Sequence, residues 1–276
     1  EISDAPEVYS TTICFRFSPE AAMHGVQPLI DEGKFDHISR APVTRFPWRA
    51  DGSVGTWDRL CQQGMNTAFR FPLRGKMTTE QRNRLAAVLQ GFPVTSLVFL
   101  KHIGRIEIHI DRADEPQSFA WSVRRQHADG FEWKDVTGFA LSGDYLITLI
   151  PDEGSSETFL LSHDADIPIH DHRGGLDEFT WEGVEFTEVS VAVRMTDQQP
   201  VALADEWRRF HVFLPTGEPC PYDLLVSGAF GSNLSRQEIR VEDYATNYNT
   251  FLFGQVARVF RNRLIPKLID GGATVV

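Results

Sequence analysis

What this chain has little of narrows its function first. It holds three cysteines, Cys14, Cys61 and Cys220, which lie far apart and form neither a CxxC pair nor an even-numbered framework, so buried free thiols in a reducing compartment are expected. No apolar run approaches the roughly 20 residues needed to span a bilayer, and the first residues show no basic-then-apolar targeting pattern. A soluble cytoplasmic protein is the expectation. Basic charge is also in short supply: 27 Lys and Arg stand against 38 Asp and Glu, a formal net charge of -11. That balance argues against a broad phosphate-binding surface and hence against nucleic acid as a partner. There is no Walker glycine loop, no Gly-x-Ser-x-Gly elbow, no internal repeat and no low-complexity tract, so nothing points to a self-contained hydrolase. The opening Glu-Ile-Ser-Asp-Ala-Pro has no initiating methionine, which suggests an excerpt of something longer.

What is present is ordinary globular composition, 42% hydrophobic, 24% charged and 11% aromatic, over 276 residues, a length at which two domains are the natural prior. Ile13 to Phe17 alternates as a strand. Residues 19 to 65, dense in proline and glycine, read as a long lid-like excursion before a second strand from Thr67 to Leu73. Thr78 with Gln81 makes a capping-box start to a helix carrying Leu85, Leu89 and Phe92 and ending at Gly91. Leu97 to Leu100 and Ile106 to Ile110 read as a hairpin around Gly104. Strands are predicted at 119–123, 145–150, 158–161, 189–195, 211–214 and 224–226, and a final helix keeps Leu252, Val256, Val259, Phe260 and Leu264 on one stripe. The fold class expected is α+β, with a boundary near residue 75 dividing 1–75 from a β-rich 76–276.

Several segments carry a resemblance. Asn66 to Arg74 is similar to the closing strand of sacsin-type ATPase domains, and Ile2 to Ser10 is similar to the stretch following the second glycine box in the same families. Phe213-Leu214-Pro215, Gly228 with Phe230, and Ser235-Arg236 reproduce in order a leucine-proline, glycine-phenylalanine, serine-arginine succession. The stretch from Gly228 to Ile239 also resembles the middle-domain loop of the ninety-kilodalton heat-shock chaperones, and Tyr248-Asn249-x-Phe251-Leu252 resembles the helix that follows. The family resembled is the GHKL (Bergerat-fold) ATPases of sacsin and heat-shock-chaperone type.

That resemblance implies the tail of an ATPase sandwich in 1–75, followed by a transducer-like middle domain in 76–276. It implies Thr67 beside the adenine, Asn233 and Ser235 in the nucleotide-facing loop, and Arg236 presented to the γ-phosphate as the catalytic group. ATP and magnesium would be bound mainly by residues upstream of this chain, which alone would be inert. The physical rationale for an arginine is its permanent charge and planar fork of donors, which can stabilise charge on a transferred phosphoryl group. Partners implied are the upstream ATPase-domain residues, a protein client and a second copy of the chain. By residue type alone, Thr67 equally suits β-propensity, and Arg236 better suits a surface pair with Glu238 or Asp243, a preference that the order of the resembling segments reverses.

Other constellations weigh less. His163, Asp164, Asp166, His170, Asp171 and His172 crowd together, which permits metal binding, but Pro168, Gly174 and Gly175 favour a solvated acidic loop. Arg70, Arg74, Lys76, Arg82 and Arg84 read as an exposed basic surface. An alternative function is a protein-interaction module with no nucleotide role, anchored by Trp121, Trp133, Trp181 and Trp207. A third reading, a DNA-acting transducer, conflicts with the acidic balance.

Overall fold

A computed structural model describes residues 7–10, 15–16, 48–49, 67–70, 78–110, 116–129, 132–139, 141–169, 172, 184–232, 238–239 and 246–271. The chain divides into two compact units, Glu1–Arg84 and Leu85–Val276.

In the first unit, β1 (Glu7–Ser10), β2 (Phe15–Arg16), β3 (Trp48–Arg49) and β4 (Thr67–Arg70) form an antiparallel sheet in the order β3-β2-β1-β4. Glu7 lies opposite Arg70 and Ser10 opposite Thr67. Strands expected around Phe15 and Thr67 are thus present, whereas most of the expected excursion over 19–65 lies outside the described residues. Helix α1 (Thr79–Gln90) starts as its sequence dictates: the Gln81 amide donates to Thr78 Oγ1 at 3.2 Å and the Thr78 amide to Gln81 Oε1 at 2.9 Å.

The second unit is built on a sheet of ten strands. These are β5 (Arg105–Ile110), β6 (Gln117–Asp129), β7 (Glu132–Val136), β8 (Gly143–Pro151), β9 (Glu157–Pro168), β10 (Phe186–Thr196), β11 (Gln199–Val201), β12 (Arg209–Val212), β13 (Leu214–Pro219) and β14 (Leu225–Gly228). The main path runs β13-β12-β14-β10-β9-β8-β6-β5, with β11 beside β10 and β7 beside β6. All pairings are antiparallel except β12 with β14. The architecture is α+β, a large sheet with two helices at its C-terminal end, α2 (Thr246–Val259) and α3 (Ile265–Asp270).

Two expectations fail, each for a visible reason. Val94–Val98 is a 3-10 helix and not half of a hairpin; β5 pairs with β6 instead. The carbonyls that a strand would offer a neighbour are taken by the buried Arg125 guanidinium, whose Nη2 donates to Leu100 O at 2.7 Å, Ile103 O at 2.9 Å and Leu97 O at 3.4 Å. The apolar run 97–100 therefore covers the sheet instead of joining it. Likewise, the strand expected over 211–214 is interrupted, because Phe213 takes φ 64° and β12 turns back there into β13.

The single terminal helix expected is α2 and α3 joined through a π turn, Phe260–Leu264. Pro266 has no N–H to donate to the Asn262 carbonyl, so the usual helical bond is missing where the wider turn lies.

Both faces of the central strands are buried, which explains their near-continuous apolar sequence. Leu160, Val189, Val191 and Val193 join Tyr248, Leu252, Val259 and Leu264 of the helical side in one core. Phe159, Leu161, Ile147 and Leu149 join Leu97, Val98 and Phe99 in the other. Period-two alternation sends neighbouring residues of β9 to opposite cores.

Candidate functional site

The loop that bears the expected nucleotide-sensing residues is described at its base. Phe230 and Ile239 are buried in the helix-side core, and Ser232 and Ile239 form an antiparallel bridge. Just before it, the Gly231 amide donates to Asn249 Oδ1 at 2.8 Å, while Asn249 Nδ2 donates to the Gly231 carbonyl at 2.9 Å. Asn249 lies in the first turn of α2 and is fully buried. Asn233, Ser235 and Arg236 lie outside the described residues. Thr67 is in β4 of the first unit, paired with Ser10.

A second polar cluster lies inside the sheet around His163, a residue expected in a solvated loop. His163 to Pro168 belong to β9, and His163 is fully buried opposite Ser190. Its Nδ1 is 2.8 Å from Ser190 Oγ, its Nε2 lies 3.9 Å from Glu188 Oε2 without a hydrogen-bond partner, and Phe139 packs edge-on against the ring. Lys101 pairs with Glu188. Burial, reinforced by the Lys101 charge against the opposing pull of Glu188 and Asp164, holds the His163 imidazole down at about 4.

On the opposite face of β9, Ser162 Oγ donates to Asp144 at 2.7 Å, Arg258 pairs with Asp164 at 2.5 Å, and Arg263 of the π turn donates to the His163 carbonyl at 2.9 Å. Two helical arginines thus fasten the C-terminal helices to the sheet.

The histidines and aspartates crowded between His163 and His172 in sequence are dispersed in the fold. His163 points into the core, Asp164 is tied to Arg258, and His172 stacks on Phe251 with ring centroids 3.9 Å apart; His170 and Asp171 lie outside the described residues. Among the described residues no group of three or more His, Cys, Asp or Glu side chains could hold a metal ion.

Trp121, Trp133 and Trp207 are each half-buried, and Trp181 lies outside the described residues. Trp133, with Lys267 5.3 Å above its ring, helps line a groove of about 480 Å³ that also includes Leu146, Leu160, Met195 and Leu268. Cys220 is buried as expected of a free thiol, and burial pushes its thiol up; Cys14 and Cys61 lie outside the described residues.

Sequence reasoning missed Asn249 as an anchor, the Ser190, His163, Glu188 and Lys101 cluster, and Arg125. A signal existed only for Asn249, within the resemblance to the helix after the loop. The described helices include none long and apolar enough to cross a membrane. No protein-family model matches this chain, and no curated protein or solved structure matches it.

Proposed function

We propose that this chain is the nucleotide-sensing part of an ATP-driven conformational machine of the sacsin and heat-shock-chaperone type, coupling ATP binding and hydrolysis to domain closure in the cytoplasm. ATP and magnesium are held mainly by upstream ATPase-domain residues. Thr67 sits beside the adenine, Asn233 and Ser235 face the nucleotide, and Arg236 stabilises the γ-phosphate. A protein client and self-association are the partners that such a machine uses.

The observation that supports this reading most is the closed base of the loop between Ser232 and Ile239, bridged at its neck and held to α2 through Asn249. An arginine that meets a phosphoryl group works best when its supporting backbone is fixed beforehand, because the ordering cost is then met in folding instead of in each turnover. The paired ends Ser232 and Ile239, with Phe230 and Ile239 buried, fix where that loop leaves and rejoins the core.

In the intact protein, Arg236→Ala is expected to cut steady-state phosphate release by at least about 100-fold, the lower range for charge-stabilising groups, while nucleotide affinity stays unchanged. Unchanged turnover would refute the role.

A second reading, an interaction module without nucleotide, draws on the Trp133 groove. It expects Trp133→Ala to abolish client binding while Arg236→Ala leaves every activity intact.

A further inference from the structure

We infer that Asn249 is a positioning residue for the nucleotide-sensing loop, clamping the neck of that loop at Gly231 to α2. This rests on the reading of Arg236 as the phosphate-contacting group.

The clamp is specific in its chemistry. A primary amide has one acceptor and one donor edge side by side, and here they meet the N–H and the C=O of the same residue, Gly231, at 2.8 and 2.9 Å. The side chain thus imitates a strand partner at the point where β14 has ended at Gly228 and no described strand remains beside Gly231. Aspartate lacks the donor, and leucine of similar size lacks both groups. One residue on, Ser232 bridges to Ile239, so the clamp and the bridge fix the loop at successive positions.

The other end of the clamp is equally fixed. Tyr248, adjacent to Asn249 and also fully buried, holds α2 on the sheet through its hydroxyl, 3.1 Å from Thr187 Oγ1 on β10. Leu252 is buried one turn further along. Neighbouring residues of one helix therefore grip the sheet and the loop neck, and the neck inherits the rigidity of the sheet. Burying a polar amide costs free energy unless both edges are used, and helix packing needs only an apolar residue here. The use found for both edges is the loop.

The test uses the intact protein with Asn249→Asp, which keeps the acceptor for the Gly231 amide and turns the donor into a carboxylate oxygen facing the Gly231 carbonyl. Hydrogen exchange at Gly231 and Ser232 should quicken. The kcat for ATP should fall roughly 10- to 100-fold, the loss that small misplacement of a catalytic group produces, with KM changed less than about twofold. Because Asn249 acts through Arg236, the same change in an Arg236→Ala background should lower kcat by less than about twofold. A destabilising substitution with no positioning role would lower activity equally in both backgrounds, and that result overturns the proposal.

If Arg236→Ala lowers kcat and Asn249→Asp does not, the positioning role fails while the reading of the loop stands. If neither lowers kcat, both fall. Should the aspartate variant not fold, Asn249→Ser, which fits the same space and cannot span both Gly231 groups, undergoes the same cycle with the same deciding outcomes.

Discussion

Two fully buried histidines make the second unit's stability depend on pH in a way that can be worked out. His163 and His211 are each held neutral at about 4, against an ordinary 6.5, and burial is the leading cause for both. Around His163 stand Lys101, Glu188, Asp164, Arg263, Ser190 and Phe139. His211 shares its Nδ1 with the Arg209 carbonyl at 2.9 Å and packs against Phe99. Since the folded value lies below the unfolded one, the unfolded chain binds more protons between about pH 4 and 6.5. Stability is therefore complete above pH 7 and falls as pH drops through that window.

The separation corresponds to roughly 3 kcal/mol for each ring when fully expressed. Near pH 5 the unfolded ring is almost fully charged and the folded ring about one-tenth charged, giving a slope of about 1.2 kcal/mol per pH unit for each histidine. Urea denaturation at pH 7, 6, 5 and 4.5, followed by circular dichroism, measures that slope. His163→Gln and His211→Gln should each remove about 1.2 kcal/mol per pH unit from it, while carboxylate contributions common to all variants cancel. Slopes that coincide in wild type and both variants, or imidazole resonances titrating near 6.5, would show that the two rings are not held neutral by burial.

Other outcomes follow from single side chains. Arg125→Met should destabilise the second unit by about 2 kcal/mol, since the carbonyls of Leu97, Leu100 and Ile103 lose their donor while the cost of burying the guanidinium is relieved, and amides at 96–103 should show the largest rise in hydrogen exchange. Leu252→Ala removes a fully buried side chain between α2 and the sheet and should cost about 2–5 kcal/mol in urea denaturation, with loss below about 1 kcal/mol contradicting its place in the core.

The fold was legible where sequence pattern and burial agree. The capping box of α1, the alternation in β5 and the apolar runs of β8 and β10 each became the element expected, because one local signal decided each. Leu97 to Leu100 misled for a tertiary reason: a run of four apolar residues suits a strand or a buried turn equally, and Arg125, twenty-five residues beyond Leu100, settles which. His163 misled because polar neighbours in sequence suggest solvent, while strand alternation sends His163 inward and Asp164 towards the helical side. Of the proposed site, Arg236, Ser235 and Asn233 rest on resemblance alone and lie outside the described residues, and Asn249 entered as part of a motif with no role. Its role depends on a partner eighteen residues away, which no local pattern encodes.

Hydrogen exchange on the intact protein, with and without a non-hydrolysable ATP analogue, decides whether the loop between Ser232 and Ile239 senses nucleotide. Amides 233–237 should gain protection with the analogue and magnesium, gain less with ADP, and lose the difference in Arg236→Ala. Equal exchange at these amides in all three nucleotide states, with the analogue bound, would contradict it.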